Sequence, residues 1–185
     1  MKRMFLVAIC ALLLPVAARA QGEPAANPVS ASLRQSLTRY ARNMVAAADA
    51  MPADKFSYHP TPDQMSYAHL IMHVAQSNTL LCSAISGTPA ADLGQLADTD
   101  AKDKLVAAIK ASFDYCSTAL ASVDDSKLGE QVKLFGTRTA SRAQAMMTLA
   151  MDWADHYSAQ AAYLRMNGIL PPSVQGRPQQ PAKRP

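Results

Sequence analysis

The chain has 185 residues, of which 49% are hydrophobic, and a formal net charge of +4. This length predicts one domain whose core is large enough to need no metal or disulfide for stability. The positive charge lies at the two ends, and residues 21–172 are slightly acidic. Because no segment concentrates Lys and Arg on one face, the sequence argues against a nucleic-acid-binding protein.

The first 20 residues have the three parts of a secretory signal peptide. Lys2 and Arg3 precede an apolar run, and the segment closes on the small-x-small site Ala18-Arg19-Ala20. The apolar run is shorter than the ~20 residues that cross a bilayer as a helix. We therefore predict cleavage after Ala20 and a periplasmic or secreted protein that has no membrane association afterwards.

The mature chain begins with a flexible lead-in and a first helix. Residues 21–29 are rich in Pro and Ala, which predicts the lead-in. Apolar residues then recur at three- and four-residue steps over about 30–50, behind a helix cap at Ser30 or Ser32. Three prolines predict a loop over 51–65, because proline restricts its own backbone and that of the preceding residue.

Three more helices follow. The second is predicted at 66–86, the third after Asp100, and the fourth, the longest, at about 139–167, where Gly168 favours a left-handed cap. No strand alternation of useful length occurs between them. Four amphipathic helices without a sheet predict an all-α four-helix bundle over 30–172.

Two features of this bundle stay open. Its long connections are compatible with both up-down-up-down and up-down-down-up helix orders. Cys82 and Cys116, which remain after signal cleavage, are compatible with a disulfide and with two small buried core residues. Beyond the bundle, the basic segment 173–185 has almost nothing apolar to bury and is predicted to be disordered.

The four histidines carry the main chemical signal of the sequence. His73 lies at the border of the apolar face of the second helix, whereas His69 on the same helix is expected to face solvent. On the fourth helix, Asp152 and His156 are four residues apart, so their side chains point in the same direction. If the second and fourth helices are neighbours, His73, Asp152 and His156 form a divalent-metal pocket with open coordination positions.

The same residues have a plainer interpretation. An Asp and a His at this spacing more often form a surface hydrogen bond, and a histidine at the border of a face more often packs its ring. We interpret Met146, Met147 and Met151 as core filling rather than as a copper or haem site. Asp155 is expected to be solvated.

Two segments resemble the DinB-like superfamily of small four-helix bundles, especially its exported members. They read SYAHLIMHVAQSNTLLCSAISG at 66–87 and HYSAQAAYLRMNGILPP at 156–172. The resemblance covers most of the mature chain and implies a divalent metal, zinc or nickel, held by one histidine of the second helix and an HxxxH pair of the last. His73 and His156 match that pattern, whereas Asp152 replaces the first histidine of the pair with a harder ligand.

The leading hypothesis is an exported DinB-like protein that binds a divalent metal and a small-molecule ligand, with Tyr163 as a hydroxyl of the pocket. The resemblance implies a metal-dependent hydrolase or a thiol transferase that acts on bacillithiol, mycothiol or glutathione conjugates. Since those thiols are cytoplasmic, the predicted export argues against the transferase.

The rival hypothesis is a metal-free helical binding or interaction protein. Its partner would be an apolar ligand between the helices or a second copy of the chain in a homodimer. Bulky substitutions at Ala161 or Ala162 would then disturb assembly, whereas histidine substitutions would change little. A haem-binding bundle is a third and weaker class.

Overall fold

The computed structural model describes residues 26–175, which fold as four α-helices and a short hairpin, with three single-turn 3-10 helices in the connections. The α-helices are α1 (Pro28–Ala50), α2 (Tyr67–Ser86), α3 (Lys102–Leu120) and α4 (Arg142–Met166). The strands are β1 (Gln131–Lys133) and β2 (Thr139–Ser141), which pair antiparallel. This architecture confirms the predicted all-α four-helix bundle.

Most of the terminal segments that the sequence analysis defined lie beyond this region. The predicted signal peptide, residues 21–25 of the predicted lead-in and residues 176–185 of the predicted tail lie outside the described residues. Within residues 26–175, no helix combines the length and the apolar character that a membrane span requires.

Serine caps and left-handed glycines delimit the two helices that carry the histidines of the candidate site. The Ser66 hydroxyl accepts the amide hydrogen bond of His69 at 3.0 Å, and Gly87 ends α2 with a φ of 77°. The Ser141 hydroxyl caps α4 in the same way, and Gly168 follows α4 with a φ of 75°, as predicted. Glycine adopts this conformation without the strain of a Cβ. Each helix therefore starts and stops at a defined residue.

The start of α1 differs from the prediction. The helix begins at Pro28, and its first amides are not capped by Ser30 or Ser32. Instead, the Asp125 carboxylate, from the connection between α3 and α4, accepts hydrogen bonds from the amides of Val29 and Ser30 at 2.9 and 2.8 Å. The helix N-terminus attracts negative charge, so a carboxylate distant in sequence can replace a local hydroxyl.

The hairpin explains why α4 starts later than predicted. Residues 139–141, expected to open the fourth helix, pair as β2 with β1. Each strand has three residues, which is too short for an alternation of apolar and polar positions to identify it in the sequence. The helical period resumes at Arg142.

Contacts between the helices resolve their order as up-down-down-up. Asn78 contacts Ser112 and, one turn later, Cys82 is bonded to Cys116, so α2 and α3 run parallel. The connection over 87–101 must therefore return along the bundle. α1 packs against α3 and α4, and α4 runs antiparallel to α2. The helix of His73 and the helix of His156 are thus neighbours.

A closed polar network in the core, the Asn78 network, joins three of the helices. The side-chain nitrogen of Asn78, Nδ2, donates to Ser112 Oγ at 2.9 Å. Its side-chain oxygen, Oδ1, accepts from Trp153 Nε1 at 2.7 Å. The disulfide between Cys82 and Cys116 lies beside it, and all five residues are fully buried. The anchored indole fixes the rotation of α4 about its axis, and with it the directions of the neighbouring side chains.

The interpretation of the methionines is wrong for two of the three. Met146 is buried in the core, whereas Met147 and Met151 are 63% and 66% exposed. At about 100° per residue, these two positions turn away from the direction of Met146 and toward solvent. Asp155 is exposed, as predicted.

Candidate metal centre

His73, Asp152 and His156 converge where α2 faces α4. Their ligand atoms all lie within 4.8 Å of one another, and no other group of three or more His, Cys, Asp or Glu in residues 26–175 is arranged in this way. Asp152 Oδ1 lies 3.8 Å from His73 Nε2 and 3.5 Å from His156 Nδ1. The two imidazole rings stack with their centroids 4.7 Å apart. We call this cluster the candidate metal centre.

A main-chain contact fixes the His156 ring. Its Nδ1 atom lies 2.7 Å from the main-chain oxygen of Asp152, one turn earlier. A carbonyl oxygen only accepts hydrogen bonds, so we assign the proton to Nδ1 and the free lone pair to Nε2. Metal-ligating histidines commonly have this arrangement, in which the second nitrogen donates to a carbonyl or a carboxylate.

Burial pushes two of the three side chains toward their neutral forms. The pKa of Asp152 is raised, because the loss of solvent outweighs the opposing effect of the two imidazoles. The pKa of His73 is lowered by burial and next by the His156 ring. A histidine with a lowered pKa is neutral at pH 7 and forms no ion pair with Asp152. A salt bridge between His73 and Asp152 therefore does not account for their contact.

Asp152 also has a buried oxygen without a partner. Its Oδ2 atom is inaccessible to solvent and makes no hydrogen bond. An unsatisfied buried acceptor costs about 1–3 kcal/mol, and more when it is charged. A divalent cation held by this carboxylate and the imidazole nitrogens would compensate that cost, so the donor set fits such an ion.

The sequence matches the profile of the DinB superfamily over residues 36–158. The chain belongs to the DinB superfamily. This confirms the resemblance to the family, and the match includes the whole of segment 66–87 and the start of segment 156–172. No curated protein sequence matches the chain significantly.

Solved structures agree with this DinB assignment at the level of the fold. A DinB-like protein from Bacillus subtilis superposes with a TM-score of 0.60 at 18% identity, over 74% of this chain and 92% of its own. A DinB-like protein from Bacillus cereus gives 0.63 at 16% identity, over 77% and 95%. A mutant of the mycothiol-dependent maleylpyruvate isomerase gives 0.56 at 16% identity, over 70% and 59%. At these identities the likeness shows the fold alone.

Two histidines of this DinB protein lie outside the candidate metal centre. His69, on α2, is 38% exposed and its Nδ1 lies 3.3 Å from Asp98 Oδ2. His59 is exposed in the connection between α1 and α2, where its Nδ1 lies 2.8 Å from the Thr61 carbonyl oxygen. His69 therefore offers a matched control for substitutions of His73.

The Tyr163 hydroxyl, expected in the pocket, is engaged elsewhere. It donates to the main-chain oxygen of Met65 at 3.0 Å, just before α2 begins. Its ring packs against Tyr58 and Tyr67. Tyr163 thus belongs to an aromatic cluster at the opposite end of α4 from the hairpin.

Sequence reasoning missed Ser77 and Gln160. Ser77 Oγ lies 3.2 Å from His73 Nε2. Gln160 is fully buried, and neither polar atom of its side chain has a hydrogen-bond partner. Each of the two lies four residues after a histidine of the candidate metal centre, and residues at that spacing are neighbours on a helix surface. This spacing is the signal that could have found them.

Proposed function

We propose that this protein is an exported hydrolase that depends on a divalent metal bound by His73, Asp152 and His156. The observation that carries the proposal is the buried, unpartnered Oδ2 atom of Asp152 beside two imidazoles. Metal binding requires a deprotonated carboxylate and neutral histidines. The lowered pKa of His73 supports the requirement for a neutral histidine, whereas the raised pKa of Asp152 means that the ion must compete with a proton for the carboxylate.

Each ligand would have a distinct role. His156 would coordinate through Nε2, because Nδ1 is held by the Asp152 carbonyl. His73 would coordinate through Nε2, the nitrogen that faces Asp152. The His73 side chain is 36% exposed, against 16% for Asp152 and 14% for His156. A substrate would therefore approach from the side of His73.

The donor set supports hydrolysis. A divalent ion with two imidazole ligands, one carboxylate and an open position lowers the pKa of a bound water to about 7 and polarises a carbonyl or phosphoryl group. Two histidines and a carboxylate are a ligand set of zinc hydrolases, so zinc is the first ion to test and nickel the second. The substrate would be a small molecule that fits against the α2 and α4 surfaces.

Thiol transfer is the weaker alternative. The isomerase among the structural neighbours is mycothiol-dependent, but it shares only the fold with this chain. The N-terminal segment predicts export, and small thiol cofactors are cytoplasmic. Hydrolysis needs only water, which every compartment supplies.

Metal content tests the ligand set. Tag-free protein loaded with zinc and then dialysed should retain about one ion per chain, measured by elemental analysis. The double variant His73→Ala, His156→Ala should retain none above background, whereas His69→Ala should match the unsubstituted protein. Equal, substoichiometric zinc in the unsubstituted protein and the double variant would contradict the proposal and favour the metal-free binding protein.

Hydrolysis is tested on the loaded protein with chromogenic ester, amide and phosphate substrates. We expect turnover of at least one class that a chelator removes and added zinc restores. Turnover that persists in the double variant would come from a different site or a contaminant. A stoichiometric zinc protein that turns over none of these classes would contradict the hydrolase and leave metal binding in place.

A further inference from the structure

Ser77 departs from the pattern of the other hydroxyls within α2. Thr79, Ser83 and Ser86 each donate to a main-chain carbonyl. A hydroxyl inside a helix commonly bonds to the carbonyl four residues earlier, which for Ser77 is the carbonyl of His73. Its Oγ atom instead lies 3.2 Å from Nε2 of the His73 ring.

This contact bears on the availability of His73 Nε2. The His73 ring stacks on the His156 ring, with the two centroids 4.7 Å apart. Ser77 is only 8% exposed, and a hydroxyl with so little access to water gains by bonding to the ring. The same Nε2 atom lies 3.8 Å from Asp152 Oδ1. The hydroxyl therefore occupies the nitrogen of His73 that faces the candidate metal centre.

We propose that Ser77 competes with an ion for the candidate metal centre, because its hydroxyl occupies the lone pair of His73 Nε2 in the metal-free protein and so lowers the affinity for the ion. This inference rests on the proposed metal function. The hydroxyl donates into the lone pair of Nε2, so Nδ1 carries the proton of the neutral ring. Ion capture then requires the hydroxyl to rotate away from Nε2, and the hydrogen bond is lost.

Competition for one lone pair sets the consequence of removing the hydroxyl. The Ser77 contact exists only in the metal-free protein, because the ion would take the same lone pair of Nε2. A hydrogen bond that is lost on binding stabilises the metal-free protein relative to the loaded one. Its removal should therefore strengthen metal binding about fivefold.

Zinc affinity measures this effect directly. Ser77→Ala should lower the Kd for zinc about fivefold in a chelator competition assay. Ser77→Thr keeps a hydroxyl and should remain near the unsubstituted protein. Thr79→Ala is the matched control, since it removes an α2 hydroxyl that bonds to a main-chain carbonyl. An unchanged or higher Kd in Ser77→Ala would overturn the competing role.

A second measurement uses the metal-free protein. At about pH 8, where histidine is neutral, the ring nitrogen shifts of His73 in NMR spectra should report the Nδ1–H tautomer, and Ser77→Ala should show a mixture. Identical spectra for the ring in both proteins would also overturn the proposal. A changed tautomer without zinc binding in either protein would show that the proposed metal function is at fault rather than the Ser77 contact.

Discussion

Two polar clusters lie little more than one turn apart on α2, and they differ in how their buried atoms are satisfied. In the Asn78 network, both ends of the Asn78 amide are bonded, to Ser112 and to Trp153. In the candidate metal centre, Asp152 keeps a buried oxygen without a partner and His73 is partly exposed. A satisfied network stabilises and specifies a fold, whereas an unsatisfied one costs free energy. The first cluster therefore maintains the bundle, and the second has capacity for a ligand.

The largest effect is expected from a substitution that breaks the Asn78 network. Asn78→Ala should lower the free energy of unfolding by about 3 kcal/mol, because it leaves the Trp153 N–H unpaired and opens a cavity. Urea denaturation followed by the fluorescence of the single tryptophan measures it. Gln76→Ala, on the exposed side of α2, should stay within about 0.5 kcal/mol of the unsubstituted protein. If Asn78→Ala lowered the free energy of unfolding by less than about 1 kcal/mol, the Asn78 network would contribute little to the stability of the bundle.

A smaller effect on stability, of opposite sign, is expected from a substitution in the candidate metal centre. In metal-free protein, Asp152→Asn should raise the free energy of unfolding by about 1 kcal/mol, because a neutral amide is less costly to bury than a carboxylate. The same variant should bind less zinc. Urea denaturation in chelator and elemental analysis give the two readouts, with the exposed Asp155→Asn as control. Destabilisation by Asp152→Asn would mean that the carboxylate already has a donor in the metal-free protein.

The smallest effect is the pH dependence of His73. Its pKa in the folded protein lies below the usual value, so below about pH 6.5 the unfolded chain takes up a proton that the folded chain does not. Metal-free protein should therefore lose stability relative to His73→Gln as the pH falls from about 7.5 to 5.5. Urea midpoints at the two pH values measure this, and His69→Gln is the control. A constant difference between the two proteins across this range would argue against a lowered pKa of His73.

Apolar periodicity was enough to predict the four helices, because bundle packing follows the 3.6-residue repeat. It also placed His73 and His156 on faces that could meet. The helix order could not be predicted, since it depends on the path of the 87–101 connection. The Asp125 cap was not predicted, because its carboxylate comes from a distant segment of the chain. The Cys82–Cys116 disulfide was one of two alternatives that the sequence left open, and the structure shows it.

The polar contacts within a turn were missed for a different reason. A serine inside a helix usually bonds to the main chain, so the Ser77 contact with His73 depends on side-chain rotamers that no sequence period encodes. The burial of Gln160 likewise depends on how closely α4 packs against its neighbours. Sequence therefore located the ligand candidates and left their immediate surroundings undetermined.

His73 and Asp152 belong to the second and last α-helices of the described chain, so these donors meet only when α4 has docked against α2. An ion bound between them would select the folded chain over the unfolded one. At a free concentration one hundred times its Kd, it would add about 2.7 kcal/mol to the free energy of unfolding by mass action. The thermal midpoint would then depend on the supply of ion, and a chain cut short before Arg142 would lack the site altogether.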